Sequence, residues 1–81
     1  MRIDKYLKVS RILKRRTVGK EACEGGRVSV NGKDVKPSFD VKVGDEVSIR
    51  LGGKTLKFVV LEVKDFAKAN ECENMYRIIT G

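Results

Sequence analysis

The sequence predicts an α+β fold: two short N-terminal helices packed on a small antiparallel sheet of about five strands. Three observations predict it. Apolar residues recur at helical spacing only near the N-terminus, at Ile3, Tyr6 and Leu7 and again at Val18 and Ala22. From Val28 onward, short runs alternate apolar and polar, as half-buried strands do. The runs are punctuated by Asn31-Gly32, Gly44-Asp45 and Gly52-Gly53, pairs suited to the tight turns that join antiparallel neighbours.

The first helix is expected over residues 3–10. At 100° per residue, Ile3, Tyr6 and Leu7 share one face and Lys5 and Lys8 the other. A continued helix would point Ile12 away from the apolar face, so a break is expected near Ser10 or Arg11, with Ile12 and Leu13 tucking inward. Thr17 is the expected N-cap of the second helix, since its hydroxyl can accept from a free backbone N–H. In that helix Val18 and Ala22 share a face with Gly19 and Cys23 beside them. Gly19 costs roughly 1 kcal/mol of helix propensity against alanine, and a close helix contact is the expected reason. Gly25 or Gly26 supplies the C-cap.

Asn31-Gly32 suits a type I′ two-residue turn. That register sets Val30 opposite Lys33 and Val28 opposite Val35. Pro37-Ser38 and Gly44-Asp45 mark turns. Val47, Ile49 and Leu51 alternate with Ser48 and Arg50, and a hairpin at Gly52-Gly53 places Ile49 opposite Leu56 and Val47 opposite Phe58. Phe58 to Leu61 is apolar on both faces, which predicts a central or bulged strand. Residues 65–74 read as a loop or helical turn, and Met75 to Ile79 as the last strand.

Length and composition narrow the function. A chain of 81 residues is one domain with a modest core, burying roughly 60–65% of its unfolded surface. Nothing approaches the roughly 18 apolar residues of a membrane span, and the N-terminus lacks the apolar stretch of a signal peptide, so a cytoplasmic location is expected. Cys23 and Cys72 form no Cys-x-x-Cys pair and there is no histidine, so two reduced thiols, no metal site and no cofactor are expected. Asp4, without a histidine or second acid nearby, is a poor acid–base group. It is better placed to orient a neighbouring arginine, and no enzyme activity is expected.

The net charge is +7, and its placement is one-sided. Residues 1–20 hold eight basic side chains against Asp4 alone, while residues 21–81 hold ten of each sign. Such a concentration is the footprint of a polyanion partner. Arg11, Lys14, Arg15 and Arg16 crowd one stretch with no acid to relieve them, and guanidinium forks suit phosphate. The expected RNA-binding residues are Arg2, Lys5, Lys8, Arg11, Lys14, Arg15, Arg16, Thr17, Lys20, Arg27 and Lys33. Tyr6 is the only aromatic near this stretch in sequence and falls on the apolar helix face. The several exposed aromatics of a single-strand platform are therefore not expected. DNA is a weaker reading, since the second helix mixes Lys20 with Glu21 and Glu24 and suits a recognition helix poorly.

Arg2-Ile3-Asp4-Lys5-Tyr6-Leu7, Arg11, Arg15-Arg16-Thr17, Gly26-Arg27-Val28-x-Val30-Asn31-Gly32 and Val43-Gly44-Asp45-Glu46-Val47 occur in this order. Together they resemble the S-four RNA-binding domain family over about residues 1–51, with additional strands over 54–81. Gly19 stands where alanine is common in that family. The resemblance implies two helices against a small antiparallel sheet, the αL motif, gripping structured RNA with the first helix, the basic turn and the start of the second helix. Stand-alone members that act in ribosome quality control are the most similar. They imply a monomer bound to ribosomal RNA and tRNA on the large ribosomal subunit, assisting an RqcH-type tailing factor in C-terminal tailing of stalled nascent chains. Two alternatives stay open: an accessory factor in ribosome assembly, and a basic adaptor docking on an acidic protein.

Overall fold

The structure is a computed structural model and describes residues 1–79. Helix α1 spans Ile3–Val9 and α2 spans Arg16–Glu24. Five strands follow: β1 at Val28–Val30, β2 at Lys33–Asp34, β3 at Glu46–Leu51, β4 at Lys54–Val60 and β5 at Tyr76–Ile78. A 3-10 turn, Cys72–Asn74, leads into β5. The strands pair antiparallel in the order β2-β1-β3-β4-β5. This is the expected α+β arrangement.

The hairpin registers are those read from the turns. Asn31 and Gly32 adopt φ of 53° and 85°, the pair of positive angles a type I′ turn requires. Val30 faces Lys33, and the Val35 N–H donates to the Val28 carbonyl. Val47 faces Phe58 and Ile49 faces Leu56. Strand β4 lies between β3 and β5, the expected central place; of its apolar run Phe58 and Val60 are buried, Val59 is half-buried, and Leu61, past the strand end, is exposed. Alternate strand residues, Val28, Val30, Val47, Ile49, Phe58 and Val60, join Ile3, Tyr6 and Leu7 of α1 in the core. Tyr6 is fully buried, and its hydroxyl donates to the Met75 carbonyl at 2.6 Å.

The helix starts and stops show where local rules yield. Helix α1 ends at Val9, and Leu13 is buried, as expected of a chain that turns inward. Helix α2 begins one residue before Thr17. Arg15 is its N-cap, in extended conformation and without a side-chain cap bond. Thr17 therefore sits inside the first turn and caps nothing. What holds this end in place is packing: the buried face of α2 is Gly19, Ala22 and Cys23. Val18 was expected on that face but lies at its edge, 40% exposed. Gly26 closes the helix. Its N–H donates to the Cys23 carbonyl and that of Arg27 to the Ala22 carbonyl, the paired bonds of a Schellman motif.

The chain start is tied down as well. The Ile3 N–H donates to the Phe39 carbonyl at 2.8 Å, and the Val41 N–H to the Met1 carbonyl at 2.9 Å. The Met1 ammonium lies 2.5 Å from Asp40. The loop around Pro37 is thereby held against the first turn of α1, and this positions the site.

Candidate nucleic-acid interface

The first turns of α1 and α2 meet at one carboxylate. Asp4 is 2% exposed. Its Oδ1 accepts from the Lys5 N–H at 2.7 Å and from Arg2 Nε at 3.2 Å, while Oδ2 accepts from Arg2 Nη2 at 3.1 Å. Arg16 Nε, from the other helix, lies 3.5 Å from Oδ2. A buried carboxylate must be hydrogen-bonded to be tolerated, and here the Arg2 guanidinium and the Lys5 N–H serve, with Arg16 adding a second positive charge. The two arginine side chains are about half exposed, at 50% and 47%. One side of each fork is pinned and the other faces solvent. Two guanidiniums oriented by one acid and still half open to solvent are suited to a phosphate.

Gly19 lets the two helices approach closely at the Asp4 backbone. A Cβ there would lie 3.3 Å from the Asp4 carbonyl oxygen and 3.5 Å from the Asp4 Cα. The expected close helix contact is therefore present, and it lies behind the carboxylate that the arginines share.

Three depressions collect the expected residues. Arg2, Asp4, Arg16, Thr17 and Lys20 line the first. Arg2 and Lys20 recur in the second, joined there by Lys36 and Pro37. Lys8, Arg11 and Lys14 line the third, with Phe66 of the 61–71 loop. Arg15 is exposed at the start of α2. Lys5 is drawn to Asp65 at 3.1 Å, which partly offsets its charge. Arg27 and Lys33, expected at the interface, line none of the three depressions. Arg27 follows α2 and Lys33 follows the β1–β2 turn.

Arg11 occupies the left-handed region, with φ of 60°, at a site just past a helix end where glycine is usual. Its N–H donates to the Lys8 carbonyl and that of Leu13 to the Leu7 carbonyl. A side chain here costs on the order of 1 kcal/mol, and the exposed guanidinium is what that cost retains.

Two residues of the face were not among the sequence expectations. Lys36 reaches Arg2 and Lys20 because the Pro37 carbonyl accepts from the Asp4 N–H. Phe66 stands beside the basic turn, 74% exposed, so Tyr6 is not the only aromatic near it. Neither carries a local signal, since both are brought in by tertiary contacts. The thiol of Cys23, on the buried face of α2, is pushed up to about 11 by burial, with the charges of Asp4 and Glu24 adding to it. Burial, reinforced by Tyr76 and Glu62, also raises the Tyr6 phenol. Both are packing groups. Among the described residues no helix is long and apolar enough to cross a membrane.

A buried acid that pairs with two arginines, with Lys20 and Lys36 beside them at a two-helix corner, marks a class. The chain belongs to the S4 domain family, whose model matches residues 1–47. Within that family it is similar to the RQC P-site tRNA stabilizing factor of Streptococcus pneumoniae, with 56% identity over 80 residues, covering 99% of this chain and 91% of that protein. It is also similar to the protein of that name from Bacillus subtilis, with 52% identity over 79 residues and coverage of 98% and 92%. A solved structure agrees: the trimeric structure of Vibrio cholerae Heat Shock Protein 15 has a TM-score of 0.90 and 31% identity, covering 98% of this chain and 81% of that one.

Proposed function

We propose that this chain is an RNA-binding factor of ribosome quality control. Its basic face grips ribosomal RNA and tRNA together on a large ribosomal subunit that still carries peptidyl-tRNA. By keeping that tRNA in place it supports C-terminal tailing of the stalled nascent chain by an RqcH-type partner. The observation that carries this reading is the pair Arg2 and Arg16, brought from two helices onto the one buried carboxylate of Asp4. The relatives named as P-site tRNA stabilizing factors support it, since they match nearly the whole chain. A rigid face with two presented forks can hold two phosphates at a set separation, as holding one RNA against another requires.

The test has a binding arm and a cellular arm. The protein should sediment with free large subunits bearing peptidyl-tRNA, and nuclease should release it. With about five phosphate contacts, log K should fall against log salt with a slope near −4. Arg16→Ala should cost on the order of 1–3 kcal/mol of binding while the fold survives. In cells, deletion or the double change Arg2→Ala and Arg16→Ala should abolish tailing of a reporter lacking a stop codon. Normal tailing in the deletion strain sinks the quality-control role and promotes ribosome assembly. Nuclease-resistant association promotes the acidic-protein adaptor.

A further inference from the structure

The loop over residues 61–71 carries a feature that the Asp4 cluster does not use. Phe66 is the most exposed of the large apolar side chains, at 74%. An exposed phenylalanine on a loose loop would mean little, but this one is anchored on both sides. Asp65 before it pairs with Lys5 at 3.1 Å, and Ala67 after it is buried in the core. Two residues on, the Lys68 N–H donates to the Glu71 carboxylate at 3.1 Å. The ring is thus held outward at the wall of a groove whose opposite side is Lys8, Arg11 and Lys14. That groove has a volume of about 400 Å³, within the roughly 300–1,000 Å³ of sites that take small ligands.

From this we infer that the groove between the basic turn and Phe66 holds an unpaired nucleotide of the bound RNA, its base stacked on the Phe66 ring and its phosphates on Lys8, Arg11 and Lys14. The occupant follows from the lining. An apolar protein segment would cover the ring but leave three cations without counter-charge, and a bare phosphate would leave the ring uncovered. A nucleotide satisfies both. Asp65, the acid in the lining, is already engaged by Lys5. The site gives an RNA grip based on phosphate a means to favour a bulge or loop over a plain duplex. It rests on the RNA-binding reading above.

The experiment uses the full chain, purified large ribosomal subunits, and two synthetic RNA hairpins, one with a single bulged adenosine and one fully paired. Phe66→Ala should weaken subunit binding roughly 5- to 150-fold, the range for loss of one base–aromatic stack, with an unchanged melting curve and salt slope. Phe66→Leu should fail similarly, because it keeps the apolar bulk and removes the π-face. The chain has no tryptophan, so Phe66→Trp creates a unique fluorophore. It should retain binding, and its emission should be quenched by the bulged hairpin more than by the paired one. Unimpaired binding by Phe66→Ala overturns the inference and leaves the Arg2–Arg16 grip standing. Full binding by Phe66→Leu overturns it in favour of an apolar protein contact. If the unaltered chain ignores subunits, the RNA reading fails on the ribosome, and equal or absent quenching by the two hairpins then overturns the stacking site separately.

Discussion

Replacing Asp4 by asparagine sets two physical effects against each other. The change raises the net charge by one, which by charge alone strengthens RNA binding. A guanidinium lies between the carboxylate and the phosphate it holds, so those two anions sit roughly 7 Å apart. With an effective dielectric of about 20–80 and a Debye length near 8 Å, relieving their repulsion gains about 0.25–1 kcal/mol. Against this, the amide leaves Arg2 one acceptor in place of two and no negative charge, and Arg16 loses its anionic neighbour at 3.5 Å. Each long side chain must then be ordered by the RNA, at about 0.5–1.5 kcal/mol. Two of them cost about 1–3 kcal/mol, a net loss, after the gain, of up to roughly 100-fold. Asp4→Asn should therefore bind large subunits more weakly than the parent at about 0.15 M salt. The deficit should widen as salt rises, because screening removes only the gain. Fluorescence anisotropy across a salt series measures this, with a thermal melt to show that the domain is folded. Equal or tighter binding by folded Asp4→Asn would refute the orientation argument and leave a face that works by number of charges alone.

Three further outcomes are expected. Arg11→Gly should stabilise the domain by about 0.5–1 kcal/mol in urea unfolding, because it relieves a side chain at positive φ, and should weaken RNA binding. Tyr6→Phe should cost only about 0.5–1.5 kcal/mol, since the Met75 carbonyl keeps the Leu61 and Glu62 N–H donors. A loss above about 3 kcal/mol would contradict that assignment. The Asp40 carboxyl is held below its usual range by the hydrogen bond from the Met1 ammonium and its charge, with Lys42 adding a smaller part. A carboxylate depressed on folding stabilises the fold above its unfolded pKa, and that contribution is lost as pH falls through the folded pKa. Asp40→Asn should thus narrow the stability difference between neutral and acid pH, followed by urea midpoints.

What was legible in the sequence was whatever short-range chemistry controls. Asn31-Gly32 specifies its own turn, and the turn then sets the register of every residue around it. The crowding of Arg11, Lys14, Arg15 and Arg16 was legible as charge, and all four side chains are exposed. Thr17 misled because cap preference is worth about 1 kcal/mol, less than seating Gly19, Ala22 and Cys23 on the core. Lys36 and Phe66 could not be read at all. Each is brought to the face by a backbone or ion-pair contact with α1, and no periodicity records such a contact.

Gly19 gives the grip a means of adjustment from behind. It touches no solvent-facing fork, yet the space it leaves empty sets how near α2 comes to the backbone of Asp4. An added methyl would meet main chain at 3.3 Å, not the tip of a pliant side chain, so the helix itself must shift by a few tenths of an ångström. Arg16 travels with that helix and Arg2 does not. Position 19 therefore acts as a shim under a two-jawed clamp. Changing its thickness changes the jaw gap, and with it the phosphate separation that fits best, while the jaws keep their chemistry. Under the proposed function, the residue at position 19 sets the phosphate spacing that Arg2 and Arg16 fit, without itself belonging to the pair.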